Sequence, residues 1–269
     1  MIRYNFNFNF NFNFIFIFIF IFIFISIFIS CLFFYSIIFP TTFATNTSRY
    51  YQLYTPIEEE SSDKYLSDGM IYLHKTFLPP RYNAKLVLLR LAQPLPEYSN
   101  LNLKVNFRLV EISDDSRGLL TIYLSMLPSN DNFWGLFSHE ICHLHAPKLF
   151  DAYSEGTCTA FAKRLVLAST KEWSEWENYL SKDELSVYGP TYLMMEKIWK
   201  VVGDQKMKTI FKYSKYYNND LSRQYIDIRE WIKSLETIEQ RDEVNKIINQ
   251  YYLSVAKFVK MGEMYFMPP

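Results

Sequence analysis

The residues able to do chemistry stand close together at His139-Glu140-Ile141-Cys142-His143. Histidines four residues apart project from one face of a helix, where their imidazoles can share a single ion, and zinc is the ion this spacing suits. The glutamate between them then lies beside the water such an ion activates and can serve as general base. A catalytic site also needs a third protein ligand, with the fourth position left open. Glu155 is the first candidate, because it continues the inward stripe that Cys158, Ala162 and Leu165 define on the next helix. A carboxylate that faces inward requires a cation or hydrogen bonds. Asp151 is the competing candidate, nearer in sequence and expected in the connection between the helices. The expectation is therefore one Zn2+ per chain on His139, His143 and Glu155, with Glu140 as base.

These side chains converge only if helices carry them. On a wheel of about 100° per residue, Trp134, Phe137, Ile141 and Leu144 form one stripe and the two histidines lie almost opposite. Asn130, Asp131 or Asn132 can cap the start of this helix, and Pro147 closes it. Periodicity and turn signals predict helices over 133–145, 155–169, 183–202, 205–217, 227–235 and 240–260, with Gly203-Asp204 as a break. Upstream, strands are predicted at Lys85–Leu91, Leu103–Glu111 and Leu119–Leu127, in a β-rich stretch punctuated by prolines. Strands first and helices afterwards predict an α+β fold. Leu119–Leu127, just ahead of the histidine helix, is expected at a sheet edge where an extended peptide can add its backbone hydrogen bonds.

The histidine motif, followed by Tyr153-Ser154-Glu155-Gly156-Thr157-Cys158, resembles the gluzincin metallopeptidases, particularly the branch whose third ligand is the Glu of a Glu-Gly-x-Ala type motif. Cys158 replaces the usual Ala. Tyr188-Gly189-Pro190-Thr191-Tyr192-Leu193 and Trp199-Lys200-Val201-Val202-Gly203 are similar to the helical segment that follows the active site in that branch. The resemblance implies a zincin-like domain that hydrolyses peptide bonds, with a Tyr or His stabilising the oxyanion from the C-terminal side. Tyr153, Tyr188 and Tyr192 are all available, and Tyr188 is the expectation. Many gluzincins carry an acidic residue four positions after the third ligand to orient a zinc histidine; here that position is Thr159, a weaker partner. The alternative reading is a catalytically silent zincin-like module at the cell surface, with a binding or structural role.

Ahead of this part the chain has a different character. After Tyr4, residues 5–14 alternate Asn and Phe, residues 15–25 alternate Ile and Phe, and the apolar run continues to Phe39 before Pro40. Roughly 20 apolar residues suffice to span a bilayer as a helix. Residues 1–44 are therefore read as a signal peptide or membrane anchor, with cleavage after Thr42-Phe43-Ala44 as the secreted version. Residues 45–118 form a β-rich part that resembles nothing further, and 119–269 the zincin-like part. The domain is expected outside the cytoplasm, with a peptide or protein as substrate and the membrane as partner. Lys plus Arg number 28 and Asp plus Glu 28, so no charge excess invites nucleic acid.

The remaining polar and aromatic residues receive plainer roles. His145 lies on the apolar side of its helix and is expected to cap or pack; His74 has no partner in sequence. Cys142 and Cys158 are expected as buried free thiols, with a disulfide between them as the alternative. Trp173, Trp176, Trp199 and Trp231 are expected to pack helices together, and Asn46-Thr47-Ser48 fits a glycosylation sequon.

Overall fold

A computed structural model of the chain describes residues 51–80, 82, 84–94, 110–182, 187–217, 220–260 and 266. The apolar run, the sequon and most of the strand predicted at 103–111 lie outside these residues. Among the described residues no helix is long and apolar enough to cross a membrane. Residues Asn46–Pro269 form one compact unit.

The fold is α+β. Strand β1 (Tyr51–Pro56) leads into helix α1 (Glu60–Thr76), followed by β2 (Leu86–Pro94), β3 (Val110–Asp114) and β4 (Leu119–Leu124). Helices α2 (Phe133–His143), α3 (Ala152–Ala168), α4 (Ser174–Lys182) and α5 (Tyr188–Met207) come next. A 3-10 turn at Ile210–Tyr213, a hairpin of β5 (Ser214–Tyr217) and β6 (Asp220–Ile226), and helices α6 (Ile228–Lys233) and α7 (Ile238–Lys260) complete it. The four-stranded sheet runs β1-β2-β4-β3, with β2 and β4 parallel and the outer pairs antiparallel.

Two expectations are corrected here. Strand β4 is not at the sheet edge: Leu86–Leu91 pair with it on one side and Val110–Asp114 on the other. Its backbone groups are spent on both neighbours, so an added peptide has no ladder to join there. The predicted helix over 205–217 is also absent as such. Helix α5 runs on to Met207 past a non-helical Gly203 (φ 73°), and Ser214–Tyr217 pair with β6 instead. Gly203 is the residue that tolerates this positive φ, so the predicted break is real: two helical stretches meet at a kink there.

The stretch read as β-rich contains α1, whose buried side is Ser62, Tyr65, Gly69 and Leu73. This helix lies against α2: the Tyr65 and Ser138 hydroxyls are 2.6 Å apart, and the Tyr65 ring touches those of Trp134 and Phe137. On its other side α2 packs on β4, whose Leu120, Ile122 and Leu124 are fully buried. Helix α3 is packed between α2 and α5, and every residue from Ala152 to Ala162 is buried. Gly156 permits this closeness: a Cβ there would run into the Thr191 carbonyl and come within 2.7 Å of Met195 Cγ on α5. Trp173, Trp199 and Trp231 are buried among the helices and Trp176 is half-buried, as their size suggests.

Candidate metal centre

Helix α2 begins after Asn132, whose amide donates to Asn130 Oδ1 at 2.9 Å. It ends at His143 in tighter turns, with the amides of Leu144, His145 and Ala146 donating three residues back before Pro147. Phe137 and Ile141 are fully buried and Trp134 is half-buried on the stripe the sequence predicts. The histidines point the other way, toward α3.

Helix α3 starts from a cap that is itself buried. Asp151 is extended, and its Oδ1 accepts from the amides of Tyr153 (2.8 Å) and Ser154 (3.0 Å). Ser154 Oγ completes a capping box by accepting from the Asp151 amide. The other oxygen, Oδ2, accepts from the Ile226 amide of β6 at 3.1 Å. Asp151, the competing ligand candidate, is thus occupied as a cap tying the loop to the hairpin. Burial pushes its carboxyl up to about 7, against the three amides that favour the charged form.

With the helix start fixed, Glu155 falls in its first turn and meets both histidines. Glu155 Oε2 is 3.1 Å from His139 Nε2 and 3.4 Å from His143 Nε2, and the two Nε2 atoms are 3.0 Å apart. The side chains are only 10%, 11% and 7% exposed, so little solvent screens them. Burial would raise the Glu155 pKa, but His143 and His139 outweigh it and hold the carboxyl well below the usual range. Burial lowers the His139 pKa, and Glu155 opposes that.

The proton positions decide what these atoms need. Thr159 Oγ1 donates to the Glu155 carbonyl at 2.8 Å, which uses its one hydrogen. The 3.1 Å contact between Thr159 Oγ1 and His139 Nδ1 must then be an Nδ1–H donating to the hydroxyl. With Nδ1–H so donated, a neutral His139 presents a bare Nε2 lone pair to the carboxylate oxygen, an arrangement that repels unless a metal ion or a proton on Nε2 lies between. Four-coordinate zinc with bonds of about 2.0–2.1 Å has ligand atoms about 3.3 Å apart, close to the three separations found. The buried group His139, His143 and Glu155 could hold a metal ion. Thr159, expected as a weak partner, joins one ligand's ring to another's backbone.

Glu140 is buried on the same helix, and burial raises its pKa to about 8 although His143 pulls it down. Tyr188, in the first turn of α5, sets its ring edge-on to His139 with centroids 5.8 Å apart. Of the other two tyrosines, Tyr153 packs on Phe266, and the Tyr192 hydroxyl donates to Glu177 at 2.5 Å. His145 is buried away from the centre, its Nε2 donating to the Leu78 carbonyl at 2.6 Å and its ring stacked on Phe211, in keeping with a packing role.

The cysteines depart from the free-thiol expectation. Cys142 and Cys158 form a disulfide with Cα atoms 5.2 Å apart. The reason is registration: α2 and α3 lie against each other with the two cysteines on facing sides, within the usual Cα range for a bridge. Comparison with protein-family models, curated proteins and solved structures finds no match to this chain.

Proposed function

We propose that the chain is a zinc-dependent peptidase with a zincin-like site, acting outside the cytoplasm. The observation that carries the reading is the convergence of His139, His143 and Glu155 within hydrogen-bonding distance of one another, with a buried carboxyl, Glu140, on the same helix. Zinc held there supplies Lewis acidity, lowering the pKa of water toward about 7 and polarising a carbonyl. Glu140, buried on the same helix, takes the proton of the attacking water and later gives it to the leaving amine. Tyr188, whose ring stands edge-on to His139, is assigned to hydrogen-bond the oxyanion. Thr159 holds the His139 ring so that Nε2 is the nitrogen offered to the ion.

The apolar run from Ile15 to Phe39 supports export, and so does the Cys142–Cys158 disulfide, since such bonds persist in oxidising compartments. The test is a set of three variants in metal analysis and a broad peptide-library assay. His143→Ala and Glu155→Ala are expected to lose both zinc and hydrolysis. Glu140→Gln is expected to keep one zinc per chain and lose hydrolysis by several orders of magnitude. Stoichiometric zinc in His143→Ala would refute the metal assignment, and full turnover by Glu140→Gln would refute the mechanism.

A further inference from the structure

We infer that the Cys142–Cys158 cystine is a positioning pair for the metal centre, holding α2 and α3 at the separation where the ligands can share one ion. The inference rests on the metal-centre reading above. Its basis is a repeated offset: Cys142 follows His139 by three residues on α2, and Cys158 follows Glu155 by three on α3. The disulfide spans sixteen residues and so does the His139–Glu155 contact. The covalent bond therefore sits a little under one turn, about 4.5 Å of helix rise, along both helices from the contact between ligands.

A bond so placed acts on the distance that matters. Unless a metal ion or the rings' own protons lie between them, a carboxylate oxygen and two imidazole nitrogens within 3.4 Å of one another repel, and the relief is a small rotation of one helix away from the other. A link at the ligands' own register opposes that rotation, whereas one at the far ends of the helices would leave it free. Glu155 and Thr159 flank Cys158, and His143 adjoins Cys142, so all three ligands and the hydroxyl that joins two of them lie within four residues of a cystine sulfur along the chain. Both cysteines are buried, so the link stays closed while the protein is folded.

The test uses the full-length protein in detergent micelles, titrated with Zn2+ against a chromophoric chelator. The oxidised form is compared with protein unfolded in a dithiol, refolded without oxygen and freed of reductant. In the reduction the cystine takes two electrons and two protons to give two thiols, and the dithiol closes to its own disulfide. Zinc affinity is expected to fall at least tenfold on reduction, with far-UV circular dichroism unchanged, and to recover on reoxidation. The double variant Cys142→Ala/Cys158→Ala is expected to show the weak affinity under both conditions, which separates loss of the link from ligation by new thiols. Equal or tighter binding after reduction overturns the inference and leaves the metal centre standing. Loss of helical signal together with binding makes the cystine a general staple and also overturns it. Absence of zinc binding in every form removes the metal centre and the inference together.

Discussion

One hydroxyl hydrogen decides which nitrogen His139 offers. Because Thr159 Oγ1 spends it on the Glu155 carbonyl, the ring must donate from Nδ1. Thr159→Val keeps the shape and removes the acceptor, so zinc affinity is expected to fall about tenfold to a hundredfold, while Thr159→Ser stays within a few-fold of wild type; chelator competition on the two variants checks this. His145 makes a separate prediction. Burial lowers its pKa to about 4 from an ordinary 6.5, so the folded state favours the neutral ring. Its contribution to stability is complete above pH 6.5 and is lost as pH falls toward 4, by about 2 kcal/mol at pH 5. Asp151 and Glu140, pushed up to about 7 and about 8 by burial, titrate in the opposite sense. The histidine's share is therefore read as the difference in urea stability between wild type and His145→Gln at pH 7 and pH 5. A difference that does not change with pH would contradict it.

At the level of helices and strands, the sequence was most readable where one element carries the whole pattern. The spacing of His139 and His143 needs only a single helix, and the stripe of Phe137 and Ile141 orients it. Glu155 was legible because its own helix has an apolar side in line with it, whereas the choice against Asp151 depended on a partner 75 residues away that no local pattern announces. Helix α1 escaped notice because Ser62 and Gly69 make up half of its buried side, so the apolar period is broken where the helix comes closest to α2. The helix predicted over 205–217 takes in Ser214–Tyr217, the first strand of the hairpin, although Asn218-Asn219-Asp220 just after it is a turn signal. Strand order is long-range information, and so the interior place of β4 was not readable at all. Gly156 belongs to this level too. In sequence it is half of a Glu-Gly pair, and in the fold it lets α3 and α5 touch. Gly156→Ala forces backbone apart and is expected to cost about 1–3 kcal/mol, measurable as a lowered Tm in metal-free protein.

For the molecule as a whole, the candidate metal centre lies in the middle third of the chain and is secured from beyond it. The loop before α3 is stitched to β6 by the Phe150 amide donating to the Gln224 carbonyl (3.1 Å), by the Gln224 amide donating to Lys148 (2.7 Å) and by the Asp151 carboxylate. These bonds give the site a place in time. During synthesis His139, His143 and Glu155 emerge some seventy residues before the strand that fixes the start of their helix. If the site binds an ion as proposed, the growing chain carries all its ligands without a finished binding site, and capture of the ion waits for that strand. A series of truncated chains ending at residues 182, 217, 233 and 260 is expected to retain zinc only from 233 onward. Retention by the chain ending at 217 would mean that the ligands assemble without the strand. On the proposed function, a chain that has not yet made this strand cannot hydrolyse its surroundings, because the start of the helix that carries Glu155 is fixed from outside the helices that hold the ligands.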